Sequence, residues 1–278
     1  MKTAPLTLSA EELTALQWAH QQLEHPSFAA RLCSVIGAPL EQLLGLLPKD
    51  WYRRLQATAE YSIRRATDLA IASMEPLPAA LAHDRWHQLL AMGSGALGGF
   101  FGPLSLVVEL PVTTILMLRS IAAIAHSQGE DLHTTEARIA CLEVLALGGR
   151  SKEDDAAETG YYGLRTTLAL HFAEFLDYSG GKGIALPAGI ELIQAIAARF
   201  GVVISDKVAV QLVPIVSAVS GSVLNLIFMQ HFQDVGKGHF IVRRLEREYG
   251  AEAIKAEYER LSLLEVEAER EYSPLEGW

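Results

Sequence analysis

The chain has few cysteines, a deficit of basic charge and none of the short motifs that announce a reaction. Its two cysteines, Cys33 and Cys141, stand in unrelated apolar contexts without CxxC spacing. That argues against a disulfide framework or a structural zinc and fits two small apolar side chains in a reducing cytosol. Lys and Arg number 23 against 33 Asp and Glu, for a formal net charge of -10. A nucleic-acid partner is therefore not expected, because neutralising phosphates takes clustered cations. GxxxxGK[ST], HExxH, GxSxG and a GxGxxG following a strand are all missing, so no cofactor is expected either. After Lys2 the sequence turns polar and acidic at Ser9 to Glu12 before an apolar h-region can develop, which argues against a signal peptide.

What is present is apolar residue. Of 278 residues, 50% are hydrophobic and 20% charged, with a mean hydropathy of +0.20. This excludes a disordered chain and leaves a water-soluble globule or a membrane-associated protein, built as one large or two small domains. The charge is unevenly spread. Residues 1–85 carry nine acids and eight bases, whereas 86–142 hold only Glu109, Arg119, Glu130, Asp131, Glu136 and Arg138. Residues 143–183 are charged again, 184–242 hold only Glu191, Arg199, Asp206, Lys207, Asp234 and Lys237, and 243–278 carry ten acids and six bases.

No stretch shows sustained period-two alternation, while helix starts and stops recur, so the fold class expected is all-α: a large helical bundle with two central apolar hairpins or kinked helices. Ser9 with Glu12 predicts a capping box and a first helix ending near His25-Pro26. Asp50 is placed to cap a helix running to about Met74, Thr134 or Thr135 another that Gly148-Gly149 stops, and Ser205 a further one. The last helix is expected over about 238–272, with Leu245, Tyr249, Leu261 and Leu264 as its apolar positions and Ser273-Pro274 ending it.

Residues 86–108 form 23 positions without formal charge and 208–233 form 26, both long enough to span a bilayer. Gly93, Gly95, Gly98, Gly99, Gly102 and Pro103 break the first, and Pro214 and Gly221 interrupt the second. Gly95 with Gly99 and Ser217 with Gly221 allow close helix approach in lipid and in soluble cores alike. Two readings stand: a buried hairpin inside a soluble bundle, or a segment that partitions to membranes. On the helix from Asp50, Arg53, Arg54, Arg64 and Arg65 return to one face. With Glu60 and Asp68 among them, an ordinary salt-bridged surface is favoured over a membrane stripe.

The candidate polar cluster comprises Glu109, Arg119, His231, Asp234, His239 and Arg243. Glu109 is the sole charge between Trp86 and Leu118, and a carboxylate in such surroundings must be paired, hydrogen-bonded or protonated. Arg119 is its candidate partner if the chain bends at Pro111. His231 with Asp234, and His239 with Arg243, share helical faces at the exit of the second apolar block. They could bind an anion, a headgroup or a metal, or form a capping and salt-bridge network. His83 and His87 stand at i and i+4 without a third ligand, so no metal site is expected. Gly180-Gly181-Lys182-Gly183 is a flexible turn rather than a phosphate loop.

Gly98-Gly99-Phe100-Phe101-Gly102-Pro103, Glu109-Leu110-Pro111, Leu118-Arg119-Ser120-Ile121 and Gly129-Glu130-Asp131 carry a family resemblance. So do Gly201-Val202-Val203-Ile204-Ser205-Asp206-Lys207, Gln211-Leu212-Val213-Pro214, Asn225, and the run from His231-Phe232-Gln233-Asp234 through Gly238-His239-Phe240-Ile241-Val242-Arg243-Arg244 to Gly250. Over roughly residues 50–272 the sequence resembles the EcsC family of bacterial proteins. The organisation expected is a helical extension over 1–49, an EcsC-like helical domain over 50–272 and a tail over 273–278. The family takes its name from a protein encoded beside an ATP-driven export transporter and brings no catalytic residue set onto this chain. The resemblance implies a cytoplasmic protein, peripheral on the inner membrane. The expected partners are membrane lipid or a membrane protein complex, and an oligomer is compatible with this. The alternatives are a soluble helical hydrolase using the polar cluster and a soluble partner-binding scaffold.

Overall fold

The computed structural model describes residues 8–25, 28, 31–33, 44–45, 49–73, 106–149, 160–179, 187–211 and 221–272. Among them every regular element is a helix: α1 Ala10–Glu24, α2 Lys49–Ser73, α3 Leu106–Ser127, α4 Thr135–Leu147, α5 Tyr161–Ser179, α6 Pro187–Gln211, α7 Gly221–Tyr249 and α8 Ala251–Tyr272. The all-α bundle anticipated from periodicity is the fold. The uncharged block 86–108 lies outside the described residues except for the start of α3, as do His83, His87, the turn 180–183, Ser217 and Ser273-Pro274. The second uncharged block is divided between the end of α6 and the first half of α7.

Local chemistry explains the helix starts. Ser9 Oγ accepts the Glu12 amide at 3.2 Å while Glu12 Oε2 accepts the Ser9 amide at 2.8 Å, a complete capping box. It satisfies two donors that a helix N-terminus otherwise leaves open. Thr134 caps α4 through the Ala137 amide at 3.2 Å. Asp50, by contrast, lies inside the first turn of α2, which begins a residue earlier. Ser205 caps nothing: it sits within α6, and its hydroxyl donates back to the Gly201 carbonyl at 2.8 Å. The expected last helix is also two. Gly250 adopts φ 92°, a conformation that favours glycine, so the chain turns there and α8 begins anew.

Helix α4 is the centre. It packs on α3, α5, α6 and α7, and from Ala137 onward only Arg138 escapes full burial. α7 in turn carries α1 and α8 on its outer side, and α2 covers α3 and α6. α1 buries Leu16, Ala19, His20 and Leu23, the i, i+3, i+4, i+7 stripe of an amphipathic helix. Contacts to the C-terminal helices fix it: His20 Nε2 lies 2.8 Å from Ser262 Oγ, His25 Nε2 lies 2.9 Å from Glu265, and the Tyr249 hydroxyl donates to Glu12 at 2.8 Å. On α2, Leu55, Ala59 and Ile63 face inward, while Arg53, Arg54 and Arg65 are exposed and Arg64 pairs with Glu60 at 2.6 Å.

Gly148 and Gly149 end α4 as expected, but for another reason than left-handed backbone. Gly148 has φ -74°; its need is space. A Cβ there would stand 2.5 Å from Phe232 Cε1, and one on Gly149 would stand 2.2 Å from the Arg199 carbonyl oxygen. Because the second obstacle is backbone, Gly149→Ala is expected to lower stability by about 2–3 kcal/mol, the upper range for overpacking. Gly201→Ala, whose Cβ would meet its nearest neighbour, Gln56 Cα, at 3.9 Å, should instead gain about 0.5–1 kcal/mol from helix propensity. Urea unfolding midpoints of the two variants provide the check.

Candidate functional site

Among the buried polar residues, Glu130, Glu143, His231 and His239 lie along the seam between α4 and α7. Because the two helices run antiparallel, falling residue numbers on α7 meet rising ones on α4. Arg243 donates to Glu136 at 3.2 Å, His239 Nε2 lies 3.8 Å from Glu143 Oε2, and His231 Nε2 donates to the Gly148 carbonyl at 2.8 Å. The first turn, the middle and the C-terminal end of α4 thus each meet a polar group of α7.

The end nearest α8 is an ion-pair lattice. Glu130, buried in the turn before α4, accepts Arg243 Nε at 2.8 Å and Nη2 at 3.3 Å, and also Arg247 Nη1. Arg247 Nη2 donates to the Gln128 carbonyl at 2.6 Å, and Arg244 Nε to the Gln128 side chain at 3.0 Å. The turn is clamped from one helix. Burial alone would raise the Glu130 pKa, but hydrogen bonding and charge from Arg243, then Arg247, outweigh it and hold the carboxyl below the ordinary range.

The middle is different. Arg165 of α5 donates to both Glu246 oxygens, at 2.8 and 3.1 Å, and to the Tyr161 hydroxyl at 3.1 Å. Tyr162 donates to the same Glu246 at 2.8 Å. The Tyr161 oxygen lies 3.0 Å from His239 Nδ1. Having accepted from Arg165, the hydroxyl gives its single proton to Nδ1, which leaves the imidazole proton on Nε2. That nitrogen is buried and has no hydrogen-bond partner among the described residues; the Glu143 carboxyl is its neighbour. Burial pushes the Glu143 carboxyl up to about 7 against the opposing charges of Arg165 and Arg243. Burial, then those same two arginines, holds His239 well below the ordinary imidazole range. Cys141, fully buried on the same helix, has its thiol pushed up by burial and is unreactive.

Of the six residues singled out by sequence, the structure brings His239 and Arg243 into this lattice. His231 sits at its far end, tilted against Phe28 and edge-on to Phe232, and Asp234 faces elsewhere, accepting Arg31 at 2.7 Å. Arg119 is exposed on α3. Glu109 lies on the opening turns of α3, and its side chain is outside the described residues. His231 and Arg243 are separated by about 18 Å of helix, so the α7 residues line a seam and do not converge on one point. Glu143, Tyr161, Arg165 and Glu246 were missed. Glu143 carried a local form of the signal that Glu109 did, a charge alone among the apolar residues 139–149; Tyr161 and Arg165 carried only i, i+4 spacing.

An all-helical bundle organised around a buried, ion-paired seam is the class that the fold and site define. The EcsC protein family matches residues 10–245, and the chain belongs to that family. No curated protein and no solved structure matches it.

His231 makes the seam acid-sensitive. Burial holds its pKa down at about 4, partly offset by the Gly148 hydrogen bond. A depressed imidazole contributes stability that is present above its unfolded value near 6.5 and is lost as pH falls through 4. His231→Gln keeps an N–H for the Gly148 carbonyl and does not titrate. Between pH 7 and 4.5 the wild type should therefore lose about 2.5 kcal/mol more than the variant. Parallel losses in urea titrations at the two pH values would contradict this.

Proposed function

We propose that the protein is a non-enzymatic, membrane-associated helical protein of the EcsC type, held peripherally on the inner face of the cytoplasmic membrane by lipid or by a membrane complex such as an export transporter. The observation that carries this reading is α3. Its stretch Leu110–Ser127 is long and apolar enough to cross a membrane, and 56% of it is buried inside the bundle. The inward face holds Leu110, Met117, Leu118, Ile121 and Ala125. The outward one presents Val112, 46% exposed, then Leu116, Arg119 and Ala123 at helical spacing. With one face committed to the core, the helix would lie along a bilayer rather than through it, its apolar residues at the acyl boundary and Arg119 reaching for headgroup phosphates.

A second reading, a soluble helical hydrolase, draws on the meeting of Glu143, His239 and Tyr161. It requires substrate at His239, whose side chain is wholly enclosed, so the membrane reading is preferred.

Flotation with anionic liposomes tests it. The wild type is expected to float, and Val112→Asp with Arg119→Glu, both at exposed positions, should weaken binding at least about tenfold, the cost of a carboxylate at an apolar interface, with thermal unfolding little changed. Wild-type protein that stays wholly in the supernatant after ultracentrifugation and ignores such vesicles defeats the proposal.

A further inference from the structure

Between α4 and α7 the described interior leaves a ring nitrogen, His239 Nε2, without a hydrogen bond beside a carboxyl group. We propose that a protonated Glu143 facing the Nε2–H of a neutral His239 forms a built-in pH-sensitive latch, and that loss of the carboxyl proton loosens the junction of α4, α5 and α7. Four observations converge there. His239 Nε2 is buried without a hydrogen-bond partner among the described residues. Glu143 Oε2 stands 3.8 Å from it. The ring cannot turn away, because Nδ1 is held by Tyr161 and Tyr161 by Arg165. And α4 is packed against four helices, leaving only 11% of the Glu143 side chain exposed, so a charge that appears there is poorly solvated unless the packing opens further.

The surroundings fix the sign. From α5, Tyr161 and Arg165 face the pair; from α7, Arg243 and, through Arg165, Glu246; from α4 itself, Glu136 and Cys141; from the preceding turn, Glu130 by way of Arg243; and from α8, Tyr258, stacked 5.4 Å from Tyr161. Both arginines near Glu143 are already committed, Arg165 to Glu246 and Arg243 to Glu130. They temper the ionised Glu143 without cancelling the cost of its burial, so the carboxyl keeps its proton up to about pH 7. A carboxyl with a raised folded value contributes stability that is complete below its unfolded value and lost as pH rises through the folded one. His239, kept neutral, works in the opposite sense, its contribution disappearing on the acid side. The wild type alone therefore changes less than Glu143 would dictate.

The experiment is hydrogen exchange by mass spectrometry on the whole chain at pH 6 and pH 8.5, corrected for the chemical exchange rate, for the wild type and Glu143→Gln. Glutamine keeps the shape of the protonated carboxyl and does not titrate. In peptides of α4 and the facing turns of α7, the ratio of wild-type to variant opening should rise about tenfold between the two pH values. A ratio that stays constant overturns the latch. Should the variant not fold, the infrared carbonyl stretch of a buried protonated carboxyl decides the matter in the wild type. Its presence at pH 6 and loss by pH 8.5 supports the latch, and its absence at pH 6 rules it out.

Discussion

A helix with almost no face of its own on the solvent imposes its terms on everything around it. α4 is 13 residues long, enclosed by α3, α5, α6 and α7, and too short to be stable by itself. Each polar group it brings inside must be answered from a neighbour, because an unanswered one costs more than a typical hydrogen bond returns. α7 gives most of those answers, at the turn before α4, at its middle and at its end. The long helix is therefore read best as the complement of the short one: its apolar Phe228, Phe232 and Phe240 fill the core while its polar residues meet α4 at intervals.

Buried ion pairs of this kind add little net stability over well-packed apolar substitutes. What they determine is register. Sliding α7 along α4 by one turn, about 5.4 Å, would take His239 away from Tyr161 and Glu143 and set His231 against side chains in place of the Gly148 carbonyl. An apolar seam of leucines and alanines would tolerate such a slip far more readily. The membrane reading and the ordered seam are compatible on this view, since α3 can present its outer face to a surface only while its inner face is held in one position.

How much of this could be read in advance followed the range of the interaction. The capping box at Ser9 and the N-cap at Thr134 were legible because donor and acceptor lie three residues apart. The break at Gly250 was not, because Leu245, Tyr249, Leu261 and Leu264 keep an apolar rhythm across it and one glycine in such a rhythm is often tolerated. Ser205 misled for the reverse reason: a hydroxyl that returns its proton to the previous turn looks, in one dimension, like one that begins a helix. His239 and Arg243 stood out as polar residues in apolar surroundings, but their partners Glu143, Tyr161 and Glu130 sit 78 to 113 residues away, or, for Glu143, on a helix whose enclosure only the packing of four others reveals. Isolation of a charge marks where a partner is needed and says nothing of which residue supplies it.

The clasp between α1 and the last helices carries a consequence for how the chain is made. His20 reaches Ser262 across 242 positions and Glu12 meets Tyr249 across 237, so the apolar stripe of α1 finds its cover only after the helices between have been synthesised. Contacts of such sequence separation slow folding. Until then Leu16, Ala19 and Leu23 are exposed to whatever else binds grease. The nascent chain is vulnerable along α1 until α7 and α8 are made, and it is their docking that ends the exposure.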